Sequence, residues 1–147
     1  MEELTEGDPK EVALENARRK AGGRENTLGV DTLVALDGRI YGKPADAQDA
    51  ARTLRELGGR THQVVSGLVH EDDGVTVTTD VTFRDLPQEL LQWYVQTGEW
   101  AGRAGGYAIQ GRGAALVRGI RGDYLNVVGL PAAALLDLLG LAALFDR

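Results

Sequence analysis

The chain has 147 residues, 43% hydrophobic and 26% charged, with a formal net charge of −6 and no cysteine. That length suits one domain that buries a core without staples, and the lack of Cys excludes a disulfide framework, a thiolate zinc site and a thiol nucleophile. His62 and His70 are too few for an imidazole metal cage, no apolar run reaches the roughly 20 residues a membrane span needs, and the acidic start Met1-Glu2-Glu3 does not read as a signal peptide.

With no basic block, the chain is not expected to bind nucleic acid. The expectation is a soluble cytoplasmic protein without a membrane partner. Of 16 basic residues only Lys10, Lys20 and Lys43 are lysines, which singles them out as compact point charges in a chain that otherwise uses the arginine fork.

Asp8-Pro9-Lys10-Glu11 predicts a helix start: Asp8 caps, Pro9 suits the first turn, and Glu11 stands three residues after the cap. The helix is expected to reach Lys20 or Ala21 and stop at Gly22-Gly23, with Leu14, Ala17 and Ala21 buried and Lys20 flanking that stripe. Thr27 to Leu36 reads as a strand apolar on both faces, hence central. Asp37-Gly38 turns it into a return strand over Arg39 to Tyr41. Asp46 caps a second helix over Ala47 to Leu57, ended by Gly58-Gly59. Two strands, Thr61 to Val69 and Val75 to Phe83, join through Glu71-Asp72-Asp73-Gly74. Pro87 opens a third helix over Gln88 to Gln96. The glycine-rich stretch from Glu99 to Gly113 reads as a loop pinned by Trp100, Tyr107 and Ile109. Ala114 to Ile120 reads as a strand, and Pro131 opens a last helix over Ala132 to Leu139. Helices alternating with strand pairs predict one α/β domain, a mixed sheet flanked by helices.

Asp31 is the sharpest chemical signal. An ionised acid inside an apolar strand costs several kcal/mol if left alone. Either it faces a wet cleft, pairs with a cation or binds a metal, or the stretch is no strand and Asp31 sits in a turn. Lys43, between Gly42 and Pro44, is a point charge for a phosphate or a solvated turn lysine. Lys20 is the same, or a helix-end cation that complements the dipole. Gln110 carries both donor and acceptor groups, enough to read a nucleobase, unless its segment is only a structural loop. That segment is no GxGxxG fingerprint, because no strand-glycine-helix unit surrounds it. A lone His62 reads as structural. Ser66, the only serine, lacks a nucleophile elbow.

Seven segments in order carry a resemblance: Asn16-Ala17-Arg18-Arg19-Lys20-Ala21, Val30-Asp31-Thr32, Gly38-Arg39-Ile40-Tyr41-Gly42-Lys43-Pro44, Gly59-Arg60-Thr61-His62, Gly98-Glu99-Trp100, Ala104 to Gly111, and Asn126-Val127-Val128-Gly129-Leu130-Pro131. In this order and spacing, over nearly the whole chain, they resemble the Maf family of nucleoside triphosphate pyrophosphatases.

The resemblance implies a Maf/Ham1-like (inosine triphosphatase-like) architecture. It also implies hydrolysis of a nucleoside triphosphate between the α and β phosphates with a divalent cation, Mg²⁺ or Mn²⁺. Asp31 falls on the family's acid, a general base or metal ligand. Lys20 and Lys43 fall on its phosphate-binding lysines, and Gln110 on its active-site glutamine. Thr32 and Arg60 fall in its substrate-binding motifs, and Glu2 falls near its early glutamate, a second metal ligand. Gly105 to Gly111, with Asn126 to Gly129, resembles the branch acting on dTTP and UTP. The resemblance also implies a homodimer.

Family members begin with a strand and a Ser-x-Ser-Pro-Arg-Arg loop that grips phosphate. The sequence starts at the segment after it, so the first strand is expected to be missing and a sheet edge open. The alternative reading is therefore a catalytically impaired nucleotide-binding or septum-formation-related protein.

Overall fold

The computed structural model describes residues 3–140. Helix α1 runs Pro9–Ala21, with the Asp8 side chain accepting from the Glu11 N–H and Gly22, in the left-handed region at φ 66°, closing it. Strands β1 (Leu28–Leu36) and β2 (Arg39–Tyr41) form the predicted hairpin around Asp37-Gly38. Helix α2 (Ala47–Leu57) starts at Asp46, whose carboxylate accepts from the Asp49 N–H at 2.7 Å. Strands β3 (Thr61–His70) and β4 (Asp73–Phe83) run longer than predicted. Their turn is only Glu71-Asp72, with Glu71 at a positive φ of 54°, so His70 already pairs with Asp73.

Helix α3 (Gln88–Gln96), strand β5 (Val117–Arg121), and helices α4 (Tyr124–Val128) and α5 (Ala132–Leu139) follow. The strand expected from Ala114 starts later, because Arg112–Leu116 first form a 3₁₀ turn. There the backbone of Gly113 lies against Ala108, and its N–H donates to Glu99 Oε1 at 2.9 Å. Helix α4 had no forecast; Asp123 caps it by accepting from the Leu125 N–H.

The sheet order is β2-β1-β3-β4-β5, and every described ladder is antiparallel, where the sequence suggested a mixed sheet. The crossover β2–α2–β3 explains the difference. Its two parallel strands lie on opposite sides of β1 and never pair. β1 is interior as its two apolar faces predict, paired with β2 on one side and β3 on the other, and β3 lies at the middle of the order. β2 covers only Val34 to Leu36 of β1, so among the described residues the outer edge of β1 before Val34 has no strand partner.

α1 covers one face, with Val12 and Ala13 on Leu33, Ala35 and Val65. On the other face α2, α3 and the segment after α3 bury Leu54, Leu57, Tyr94 and Tyr107 against Val34, Leu36 and Val64. Two glycines set how close α1 lies. A Cβ on Gly29 would sit 2.0 Å from the Ala17 carbonyl oxygen, and one on Gly67 2.5 Å from that of Ala13. Only bare backbone lets the helix settle this deep. No described helix is long and apolar enough to cross a membrane.

Candidate functional site

Strand alternation puts Asp31 on the α1 face and Thr32 on the other. Asn16 and Lys20, one turn apart on α1, share the helix side that meets β1. Because Gly29 and Gly67 admit the helix closely, Lys20 Nζ donates to Asp31 Oδ1 at 2.7 Å and Asn16 Nδ2 to Oδ2 at 3.4 Å. Asp31 is only 6% exposed, so these donors answer the desolvation cost foreseen for an acid in an apolar strand.

Lys20 also pairs with Glu3 at 3.1 Å. Burial opposes its charge, but the hydrogen bonds and charges of Asp31 and Glu3 outweigh that and raise its pKa, so it stays an ammonium. Asn16 meanwhile fixes the entering chain. Its Oδ1 accepts from the Leu4 N–H at 2.7 Å, and its Nδ2 donates to the Leu4 carbonyl at 3.0 Å.

On the other face, the Thr32 hydroxyl meets Ser66 Oγ at 2.8 Å and donates to the Gly129 carbonyl, just after α4, at 3.4 Å. Lys43 follows β2, in a turn tied to the loop after α3 where the Gly105 N–H donates to the Gly42 carbonyl at 3.1 Å. Gln110 stands exposed in a turn closed by the Gly111 N–H on the Ala108 carbonyl.

These groups line one cleft of about 260 Å³, which wraps over the unpaired edge of β1. Asp31, Lys20, Lys43, Gln110 and Thr32 all reach it, as do Glu3, Arg103 and Tyr107.

Arg60 does not. It leaves the turn after α2 at the far end of β3, is exposed, and pairs with Asp37 of the β1–β2 hairpin. Some six residues of β1 separate Asp37 from Asp31, about 20 Å of extended chain, so Arg60 is not gathered with the other expected site residues. Glu2 lies outside the described residues.

His62 is fully buried in the core. Its Nε2 shares a 2.7 Å hydrogen bond with Tyr107 Oη, and its ring meets Phe83 and Tyr107 edge-on.

The sequence reading did not single out Asn16, Glu3, Arg103 or Tyr107 as site residues. Asn16 left a signal: a polar residue on the buried stripe of α1, one turn before Lys20. Glu3 and Arg103 left none, since both are surface charges until the chain folds back.

Among the described residues no three His, Asp or Glu side chains gather into a ready metal cage. Glu3 and Asp31 do offer hard carboxylate oxygens to one cleft. That donor chemistry fits Mg²⁺ or Mn²⁺, whose remaining positions phosphate oxygens and water can fill.

Comparison with known proteins adds a separate finding. A family profile described as Maf-like protein matches residues 1–142. A protein of Pyrococcus furiosus named dTTP/UTP pyrophosphatase is 42% identical, over 99% of this chain and 82% of its own length. Proteins of the same name from Thermococcus kodakarensis and Moorella thermoacetica are 45% and 48% identical, each over 88% of this chain and over 75% and 71% of their own lengths.

Proposed function

We propose a function from one premise: the chain belongs to the Maf-like protein family. It is a nucleoside triphosphate pyrophosphatase that hydrolyses dTTP and UTP to the monophosphate and pyrophosphate. The observation that carries this reading is the Lys20–Asp31 contact of 2.7 Å, in a cleft that Lys43 and Gln110 also line.

Hydrolysis needs a water deprotonated as it adds to phosphorus, and cations on the charge that develops. In this reading Asp31 serves the first task, as the base or as a ligand that orients the water. Lys20 and Asn16 hold both its oxygens, so its direction is fixed before substrate arrives. Lys43 and Arg103 are the cations that the cleft's carboxylates leave for phosphate, since among the described residues neither has an ion-pair partner.

Glu3 and Asp31 would hold a divalent cation, and a cation there supplies Lewis-acid neutralisation of phosphate oxygens. Gln110 and the backbone around it offer the paired donor and acceptor that tell a pyrimidine edge from a purine one. Thr32 presents its hydroxyl from the opposite side of β1. The same reading places the protein in the cytoplasm as a homodimer.

The test is pyrophosphate release with Mg²⁺ or Mn²⁺ across the common triphosphates, for the native chain and Asp31→Asn. The native chain is expected to prefer dTTP and UTP, and Asp31→Asn to lose about 100-fold or more of the rate with an unchanged circular dichroism spectrum. Equal rates for the two proteins would reject Asp31. Binding of a non-hydrolysable UTP analogue without turnover would replace the enzyme by a nucleotide-binding protein.

A further inference from the structure

We propose that Tyr94 and Glu99 form a clasp that positions the Gln110 turn and so sets which base the cleft accepts; the base-selection half rests on the pyrimidine triphosphate reading above. Gln110 sits in a turn with no regular structure, and among the described residues its own side chain makes no hydrogen bond. Something else must hold that turn, and the structure shows what does.

Tyr94, buried on α3, accepts from the Ala108 N–H at 3.0 Å and donates to Glu99 Oε1 at 2.8 Å. Glu99 in turn accepts from the Gly113 N–H at 2.9 Å and, through Oε2, from the Arg112 N–H at 3.0 Å. One hydrogen-bonded chain rooted in α3 therefore grips the backbone two residues before Gln110 and two and three residues after it.

The grip is tight. A Cβ on Gly111 would sit 2.5 Å from Glu99 Oε2. Burial alone would raise the Glu99 carboxyl pKa, but the donors from Arg112, Gly113 and Tyr94 outweigh it and lower it, so the carboxylate stays charged. Bonds to a charged acceptor are shorter and stronger than neutral ones. Neither Tyr94 nor Glu99 lines the cleft. They act through the turn and are positioning residues, not catalytic ones.

Two conservative variants separate positioning from mere support. Glu99→Gln keeps the shape but turns one oxygen into an N–H₂ facing a backbone N–H, and Tyr94→Phe removes only the hydroxyl. Each is expected to raise KM for dTTP and UTP, and to lower their selectivity over ATP, by about tenfold, the ratio implied by losing a charge-assisted hydrogen bond. kcat is expected to hold within about threefold, because the clasp's hydrogen bonds reach Ala108, Arg112 and Gly113 and neither Asp31 nor Lys20. The double variant is expected to be no worse than Glu99→Gln, since both act on one chain of bonds.

Folded variants with native KM and native selectivity overturn the clasp, even if they melt earlier. Should Glu99→Gln fail to fold, Tyr94→Phe carries the test. A native chain that neither hydrolyses nor binds nucleotide sinks the proposed activity, and base selection with it. Amide exchange at Ala108 and Gly113 then decides the clasp itself: faster exchange in Tyr94→Phe upholds it, and unchanged protection overturns it.

Discussion

His62 carries a pH dependence of stability set by its burial in the core. Burial pushes its pKa from 6.5 down to about 4, and among the described residues its Nδ1 has no hydrogen-bond partner. Between those values the unfolded chain binds a proton that the folded chain refuses, so stability rises with pH through this window and is lost on acidification. The full shift is worth about 3 kcal/mol. Urea midpoints measured from pH 7 to pH 4 are expected to fall for the native chain and to flatten for His62→Gln, which keeps a polar atom for Tyr107. An equal slope in both would remove His62 as the cause. Single residues also show where a sequence speaks. Asp31 is legible because an acid among Leu28, Val30, Leu33 and Val34 has to find partners. Arg60 is less legible, because a motif match fixes its place in the chain but not the direction of its side chain, and here it pairs with the hairpin carboxylate of Asp37.

Elements governed by local chemistry were readable in advance. Asp8 and Asp46 cap their helices as their spacing predicts, and Asp37-Gly38 makes the hairpin. The segment after Gly111 was not readable, because its 3₁₀ turn is shaped by Glu99, more than ten residues away. Nor was the seat of α1. It rests on Gly29 and Gly67, which nothing in the local pattern marks as helix contacts, and Gly67 lies directly opposite Asp31 in the β1–β3 register. Gly67→Ala is expected to lift α1, cost about 1–3 kcal/mol of stability, and part Lys20 from Asp31. Hydrolysis would then fall by up to about 100-fold, the scale of an ångström-sized misplacement. Unfolding curves beside initial rates check this. A variant destabilised yet fully active would show that the helix seat does not set the Lys20–Asp31 contact.

Across the whole molecule, local and global charge disagree. The chain carries −6, yet among the described residues its cleft presents Lys20, Lys43 and Arg103 against Glu3 and Asp31. A triphosphate approaching from afar meets a repelling protein, and at close range an attracting one. Within a Debye length the near field wins. kcat/KM is therefore expected to fall as salt rises from about 0.05 M to about 0.5 M; a rise would mean that repulsion by the whole chain controls encounter. The fold class was legible from element order, but the cleft's position was not, since it depends on how little of β1 the short β2 covers.

That cleft has a further consequence. Asp31 and Thr32 are consecutive, yet the strand's pleat turns their side chains to opposite faces, so that under the proposed function the first serves bond-breaking and the second is open to recognition. Under that reading neighbouring codons encode the two tasks on opposite faces of one strand. Substitutions at Thr32 would then be expected to shift substrate preference before they touch the rate of bond-breaking.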